Sequence, residues 1–325
     1  MTSIKLINKL SDGLFHSGSE LGDLLGISRA AVWKQIQKLE VEFGIKSESV
    51  KGKGYRIKGG LDLIDKSVVL SSLDKRTQNT LSELDIRLVV DSTNDIALEK
   101  AKAGVDSGYV CIAEKQNSGR GRRGRNWVSP FGKNIYLSIL WRFHGGATSL
   151  EGLSLAAGVA VVKALSRIGI VGVNLKWPND VLYAENKLAG ILLEMSGDVS
   201  GVCEVVLGLG LNIQMTIEEG DAISQNWVDL RSLTNDALNR NEVIVSVLEE
   251  LFLMLEEFSA NGFSGFAEDW ARFDAYRGRA VSVTTVKGSE HGISHGVDHS
   301  GALQLEIGGH IRRFSGGEVS LRLKK

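Results

Sequence analysis

The residues with the most obvious chemistry are arginines. Residues 119–124 read GRGRRG, placing Arg120, Arg122 and Arg123 among glycines, with Arg125 following. The glycine spacing is that of a dinucleotide-binding loop, which follows a strand, opens a helix and has an acidic residue about 20 positions on. YVCIAEKQ supplies the strand, but RNWVSPFGKN, with Pro130 and Gly132, supplies no helix, and His144 stands where the acid is needed. The Gly-Lys-Ser/Thr ending of a phosphate loop is missing too. Guanidinium forks match phosphate and carboxylate oxygens, and glycines permit close backbone approach. Four neighbouring arginines repel one another until an anion neutralises them. The loop is therefore expected to be mobile when empty and to order around a phosphate-bearing small ligand. Trp127 and Trp141, nearby in sequence, read as packing groups.

Further polar clusters follow. DSTN at 91–94 reads as a helix N-cap, through Asp91 or Ser92, with its neighbours free to face a pocket. KWPND at 176–180 reads as a turn after a strand, Lys187 opens the run KLAGILLEM, and Trp227 in SQNW has surface packing as its plain alternative. His291, His295 and His299 are four apart, but HGISHGVDH is punctuated by glycine and strand-like, so no helical metal site is expected. No cysteine or serine stands in an evident nucleophilic setting. Cys111 and Cys203 lie in apolar runs without a C-x-x-C, as expected of reduced, buried thiols in a cytoplasmic protein. The N-terminus lacks a signal-peptide core, and LSLAAGVAVVKAL is too short and carries Lys163, so no membrane partner is expected.

An α+β scaffold of three parts must carry these groups. Residues 1–60 read as a winged helix-turn-helix. IKLINKLSDGLF offers Ile4, Ile7 and Leu10 on one face; Ser17 and Glu20 form a capping box before Leu21, Leu24 and Leu25; Ser28 caps a helix whose Val32, Ile36, Leu39 and Phe43 recur at helical spacing. Ser28, Arg29, Trp33, Lys34 and Gln37 are placed to meet DNA, and SVKGKGYRIKGG forms a wing whose Lys51 and Lys53 face phosphates. This segment carries +4 while the rest of the chain carries −5, so it is the region suited to a polyanion. A small helical packing domain is the plainer reading of the same pattern. Residues 61–274, entered through a link at 59–68 and the helix SVVLSSLDKRTQ, read as a mixed-sheet α/β domain. In its acidic helix, 241–260, Ile244, Leu248, Leu251, Leu255 and Phe258 face in, while Glu249, Glu250, Glu256 and Glu257 face mostly outward. Residues 275–325 alternate short strands with glycine turns, as in a small SH3-like β barrel.

GRGRRGRNWVSPFGKNIYLS, preceded by DSTN and followed by KWPND and KLAGILLE, resembles the biotin–protein ligases. The N-terminal part resembles their bifunctional subgroup, which also represses biotin biosynthesis genes. The resemblance spans nearly the whole chain, and the ordered set of motifs is far more specific than any one of them. It implies that biotin and ATP form biotinyl-adenylate with Mg2+ present, and that the biotinyl group passes to a lysine of a biotin carboxyl carrier protein. It implies a biotin pocket of Ser92, Thr93, Asn94, Gln116, Arg120, Gly121, Arg122 and Lys187, with Arg122, Lys176, Asn212 and Trp227 on the nucleotide side. Catalysis would rest on Lys187 and Arg122, with Asp180 guiding or accepting the proton of the acceptor lysine. The C-terminal GGEVSLR, with Arg322, would close over the nucleotide or contact the acceptor. Operator DNA and a homodimer formed with biotinyl-adenylate bound are the implied partners. A lipoate-type adenylating ligase, a sensor with a dead ligase site, and a ligase whose N-terminal part no longer binds DNA are the rivals. For the last, Trp33 would pack on a neighbouring domain.

Overall fold

The computed structural model describes residues 2–197, 201–234, 238–285, 288–316 and 319–324. At the front, α1 (Thr2–Leu10), α2 (Gly18–Leu25) and α3 (Arg29–Phe43) precede a hairpin of β1 (Glu48–Val50) and β2 (Gly54–Arg56). The inward face of α1 is Leu6, Ile7 and Leu10; Ile4, expected there, is 46% exposed. Leu21 is buried, but Leu24 also turns outward. Half of the expected capping box forms. Ser17 Oγ accepts from the Glu20 N–H, while the Glu20 carboxylate pairs with His16 and Lys9 instead of the cap backbone. Ser28 caps α3 by accepting from the Ala31 N–H. Val32, Ile36 and Leu39 seat α3 in a separate small core. His16 exchanges two backbone bonds with Tyr55, lending the wing a third segment.

The helix expected at SVVLSSLDKRTQ is two, α4 (Lys66–Ser72) and α5 (Lys75–Thr80), because the Asp74 carboxylate caps a fresh start by accepting from the Thr77 N–H. Next come β3 (Glu83–Val90), α6 (Thr93–Lys102), β4 (Tyr109–Gln116), β5 (Ile135–His144) and α7 (Leu153–Arg167). After them run β6 (Val173–Lys176), β7 (Asp180–Tyr183), β8 (Asn186–Gly197) and β9 (Val202–Leu211). These strands form one sheet in the order β3-β4-β5-β9-β8-β7-β6, parallel only between β3 and β4, which α6 connects. Alternation along β4 sends Val110 and Ile112 into the main core and Tyr109 and Cys111 under α6, so helices cover both faces.

Beyond a short α8 (Ile217–Gly220), the long α9 (Arg240–Asn261) packs beside α7, and α10 (Ala267–Phe273) follows. The expected inward residues of α9 are all buried. Glu249 is buried as well, contrary to its expected solvent position. Its carboxylate accepts from the Asp74 N–H and the Arg167 guanidinium, which compensates the desolvation.

The C-terminal strands are β10 (Ala280–Thr285), β11 (Gly288–Val297), β12 (Leu303–Ile307), β13 (His310–Phe314) and β14 (Ser320–Leu323). They form an antiparallel sheet in the order β13-β12-β11-β10-β14. The expected barrel does not close among the described residues, because β13 and β14 stay at opposite edges. Val286, from the expected strand RAVSVTTV, and Gly317 and Glu318, from GGEVSLR, lie outside the described residues. Apolar side chains of this sheet, including Val281, Leu303 and Leu305, belong to the same core cluster as α7 and α9. No helix among the described residues is long and apolar enough to cross a membrane.

Candidate active site

A cavity of about 360 Å³ opens on the sheet where β8 and β9 meet the arginine loop. Its wall contains Ser92, Thr93, Asn94, Gln116, Arg120, Gly121, Arg122, Lys176, Asp180, Lys187, Asn212 and Trp227. Every sequence-derived candidate for the small-molecule site therefore lies at one place, although they span 136 positions of chain.

One end is built at the start of α6. Ser92 holds the N-cap position in extended conformation but makes no side-chain cap bond. Thr93 presents its N–H to Gln116 Oε1 at 2.9 Å, and the other side of the Gln116 amide donates to Ser129 Oγ at 3.3 Å. Asn94 is buried, with its amide committed to Glu194 and Ser138.

The other end is cationic. Strands β6 and β7 are joined by WPN, and the antiparallel register sets Lys176 opposite Asp180. Asp180 accepts from Lys187 Nζ at 2.6 Å and Lys176 Nζ at 3.1 Å. Burial opposes its charge, yet the two ammonium groups hold the Asp180 carboxyl below its usual range. A carboxylate so held is a poor proton acceptor, so the geometry fits a counter-ion that positions two lysines rather than the expected base. Lys187 Nζ also sits 5.3 Å from the centre of the Trp127 ring. Trp227 runs beside Lys187 because the Lys187 N–H donates to Asn226 O and the Val228 N–H donates to Lys187 O. Asn212 Nδ2 ties this pair together by donating to Lys187 O and Val228 O.

The arginine loop forms a turn across the mouth. Gly121 N–H donates to Arg125 O, and Trp127 N–H donates to Gly119 O. Arg122 reaches Asn179 Oδ1 at 3.0 Å, and its other terminal nitrogen donates to Gly316 O and Val319 O of the C-terminal sheet. Burial lowers its pKa, and Asp180 acts against that shift; a guanidinium remains cationic regardless. Arg120 differs from expectation. Its fork is bidentate to Asp95 at 2.6 and 2.7 Å and reaches Glu194 at 3.3 Å, and the Asp95 bonds raise its pKa. Two of its terminal nitrogens are thus held by acidic side chains of the protein, while the residue still lines the cavity.

Sequence reasoning missed Trp127, which is a cavity wall and not mere packing. Its ring lies over Gly210, where a Cβ would overlap it, and its buried Nε1 has no hydrogen-bond partner among the described residues. It also missed Ser129, which accepts from Gln116 Nε2 behind the wall. Asn179 of KWPND, given no role from sequence, and residues 319–321 of the GGEVSLR segment expected near the nucleotide or the acceptor both line the cavity. Trp141 is a core residue as expected, and His295 pairs with Glu306.

The DNA-facing candidates lie together elsewhere. Arg29, Trp33, Lys34 and Gln37 form an exposed face of α3, and Lys51 and Lys53 stand at the hairpin turn. Trp33 is 54% exposed, so it does not pack on a neighbouring domain.

Comparison with known proteins agrees with this geometry. Residues 86–212 match the Biotin/lipoate A/B protein ligase family, residues 3–56 an HTH domain, and residues 277–322 the Biotin protein ligase C terminal domain. The chain is 40% identical to the bifunctional ligase/repressor BirA of Salmonella typhimurium, over 98% of this chain and 97% of that one. It is 39% identical to the protein of the same name from Escherichia coli, with the same coverage. A biotin–(acetyl-CoA-carboxylase) ligase of Mycobacterium tuberculosis is 36% identical over 73% of this chain and 88% of its own. Among solved structures, the Aquifex aeolicus biotin protein ligase in complex with biotin and ATP superposes with a TM-score of 0.64. It is 29% identical and covers 75% of this chain and 100% of its own. With the ligase motifs gathered on one cavity and a helix-turn-helix ahead of them, the chain belongs to the biotin protein ligases, in their bifunctional ligase/repressor branch.

Proposed function

We propose that the protein is an ATP-dependent biotin–protein ligase that also acts as a biotin-responsive repressor. One observation carries the ligase reading. The cavity has a hydrogen-bonding end, Ser92, Thr93 and Gln116, and a cationic end, Lys176, Lys187 and Arg122. A ureido ring suits the first, and a carboxylate meeting a triphosphate suits the second.

In the first step a biotin carboxylate oxygen forms a bond to the α-phosphorus of ATP as the α–β bridging bond breaks, and pyrophosphate leaves. Both reactants are anions, and the carboxylate needs no base to ionise it at neutral pH. The protein's task is charge cancellation, and Lys187, Lys176 and Arg122 supply it. In the second step a neutral lysine amine of the carrier protein forms an amide with the acyl carbon as the bond to AMP breaks, and the amine's proton passes to water. Asp180 holds the two lysines in place through both steps. Trp227 covers the adenine and Asn212 fixes the strand beneath it. No group of three or more His, Cys, Asp or Glu among the described residues is arranged for a metal. Magnesium carried by ATP phosphates and water requires no such cluster, so Mg2+ fits as part of the nucleotide substrate.

The repressor reading rests on the exposed face of α3 and on the basic hairpin. Ordering of the arginine loop by biotinyl-adenylate completes a dimer surface, and the dimer sets two α3 helices on a two-part operator. The buried thiols Cys111 and Cys203, neither of them in a disulfide, fit a cytoplasmic location.

Protein, ATP, magnesium, biotin and a biotin-acceptor domain are mixed, and labelling and biotin-dependent pyrophosphate exchange are measured. Both are expected; the absence of both sinks the ligase reading. Footprinting on biotin-operon DNA, with and without biotinyl-adenylate, tests the switch, and equal affinity in the two states would remove it.

A further inference from the structure

Behind the polar end of the cavity lies a chain of hydrogen bonds whose direction is fixed from both ends. At one end, Glu194 accepts from Asn94 Nδ2 at 2.6 Å while its carboxylate also faces Arg120. A carboxylate beside a guanidinium has no proton to give, so Asn94 must donate with nitrogen and offer its oxygen inward. Ser138 Oγ lies 2.6 Å from that oxygen, and only Ser138 can be the donor. Its single proton is then spent. Ser138 Oγ has donor geometry toward Thr93 Oγ1 at 2.7 Å as well, but with its one proton on Asn94 it cannot serve both, and the Thr93 hydroxyl directs its own proton to Gln116 Oε1 at 3.2 Å.

The other end gives the same answer. Ser129 donates to the Trp127 carbonyl at 2.9 Å, so it can only accept from Gln116 Nε2. That leaves Gln116 Oε1 toward Thr93, where the Thr93 N–H meets it. The site is tightly built: Thr93, Asn94 and Ser138 are buried, and a Cβ on Gly208 of β9 would overlap Asn94 Oδ1.

We infer that Glu194, acting through Asn94 and Ser138, is a positioning residue that leaves the Thr93 hydroxyl only an acceptor toward the cavity, so that this end selects a ligand ring carrying an N–H donor; the Gln116 amide is oriented separately, by the Thr93 N–H and by Ser129. The inference rests on the ligase reading for the identity of that ring. Asn94, expected to touch biotin, acts from behind. A ring presenting only acceptors or sulfur at this point, as a dithiolane does, leaves Thr93 facing an acceptor without a proton, which is where selectivity against isosteres is strongest.

The test is Glu194→Gln. Arg120 holds the glutamine oxygen on its own side, turning the glutamine nitrogen toward Asn94. Asn94 then reverses, Ser138 becomes the acceptor from Asn94 and donor to Thr93, and the order of the chain inverts with no change of volume. In biotin-dependent pyrophosphate exchange, the KM for biotin is expected to rise about tenfold or more, with kcat and the KM for ATP within about twofold of wild type. Ser138→Ala, which cuts the chain instead of inverting it, is expected to raise the biotin KM by a smaller factor, with the same split. Direct biotin binding by calorimetry reads the same order if exchange is weak. Biotin affinity within about twofold of wild type in both variants overturns the inference, and so does a parallel loss of kcat and both affinities, which a merely structural role would give. Wild-type protein without exchange overturns the ligase reading itself, a result visible before any variant is made.

Discussion

At the scale of single residues, Asp180 and Arg122 divide the work of the cationic end. Asp180 is only 14% exposed at its side chain and sits between two ammonium groups. Asp180→Asn leaves those groups facing each other without a counter-charge, at a cost of roughly 1–3 kcal/mol. The pH dependence has a definite sign. The folded-state pKa lies below the ordinary 3.8, so the stabilisation is complete above the unfolded value and is lost as pH falls through the folded one. Denaturant melts of wild type and Asp180→Asn should differ by a constant amount between about pH 7 and pH 5 and converge below about pH 4. A difference that instead grows toward acid would show that Asp180 is not held as a carboxylate. Arg122→Ala should speed release of biotinyl-adenylate far more than it weakens biotin, because Arg122 lies at the cationic end and not beside Thr93. Losing one such contact in a closed site is worth about 2–4 kcal/mol of transition-state stabilisation. Stopped-flow displacement measures it, and equal losses for both ligands would place Arg122 at the wrong end. Lys187 and Arg122 were legible from charge and motif. Glu194 and Ser138 were not, because a lone polar residue in an apolar strand shows its role only when the neighbouring strand is in register with it.

Elements position these residues through close approach. Strand β9 runs under the cavity with glycine at 208 and 210, and the Trp127 ring lies directly on Gly210. Gly210→Ala forces the ring away from Lys187 Nζ and from the cavity floor. Over-packing of this kind costs about 1–3 kcal/mol, so a lower melting temperature is expected together with a raised KM for both biotin and ATP. A variant with wild-type melting and kinetics would show that the ring is free to move. The glycines of LGLGLN were visible in the sequence, but their partner was not. Trp127 comes 83 residues earlier, and nothing local says which tryptophan needs the space. The strand and helix pattern itself was largely readable because apolar periodicity and caps are local signals. The missed pieces, among them β7, α8, α10 and the break between α4 and α5, are short, and a buried Glu249 on an otherwise acidic face is decided by partners on distant elements.

At the scale of the molecule, the charge division between residues 1–60 and the rest was readable directly, and so was the order of the parts. Their contact was not. Phe43 at the end of α3 meets Phe131 edge-on at 5.5 Å, and Lys115 Nζ donates to Glu42 O, so the helix proposed to read DNA ends on the segment that follows the arginine loop. Lys51 and Lys53 at the hairpin turn give this arrangement a quantitative test. Each lysine that displaces a counterion from a phosphate adds about 0.9 to the slope of log affinity against log salt, whereas a base-reading side chain adds nothing to it. Lys53 Nζ already lies 5.8 Å from the centre of the Phe15 ring, while Lys51 has no such ring partner among the described residues. Lys51→Ala should therefore flatten the slope by about one per engaged protomer and weaken binding alike on all sequences, with Lys53→Ala having the smaller effect. Gln37→Ala should leave the slope unchanged and relax discrimination at one base position by about 1–3 kcal/mol. Fluorescence anisotropy on operator and scrambled duplexes, across salt and with saturating biotin and ATP, reads both quantities. An unchanged slope in Lys51→Ala would mean that the wing does not touch the backbone and that the +4 charge acts only by long-range attraction.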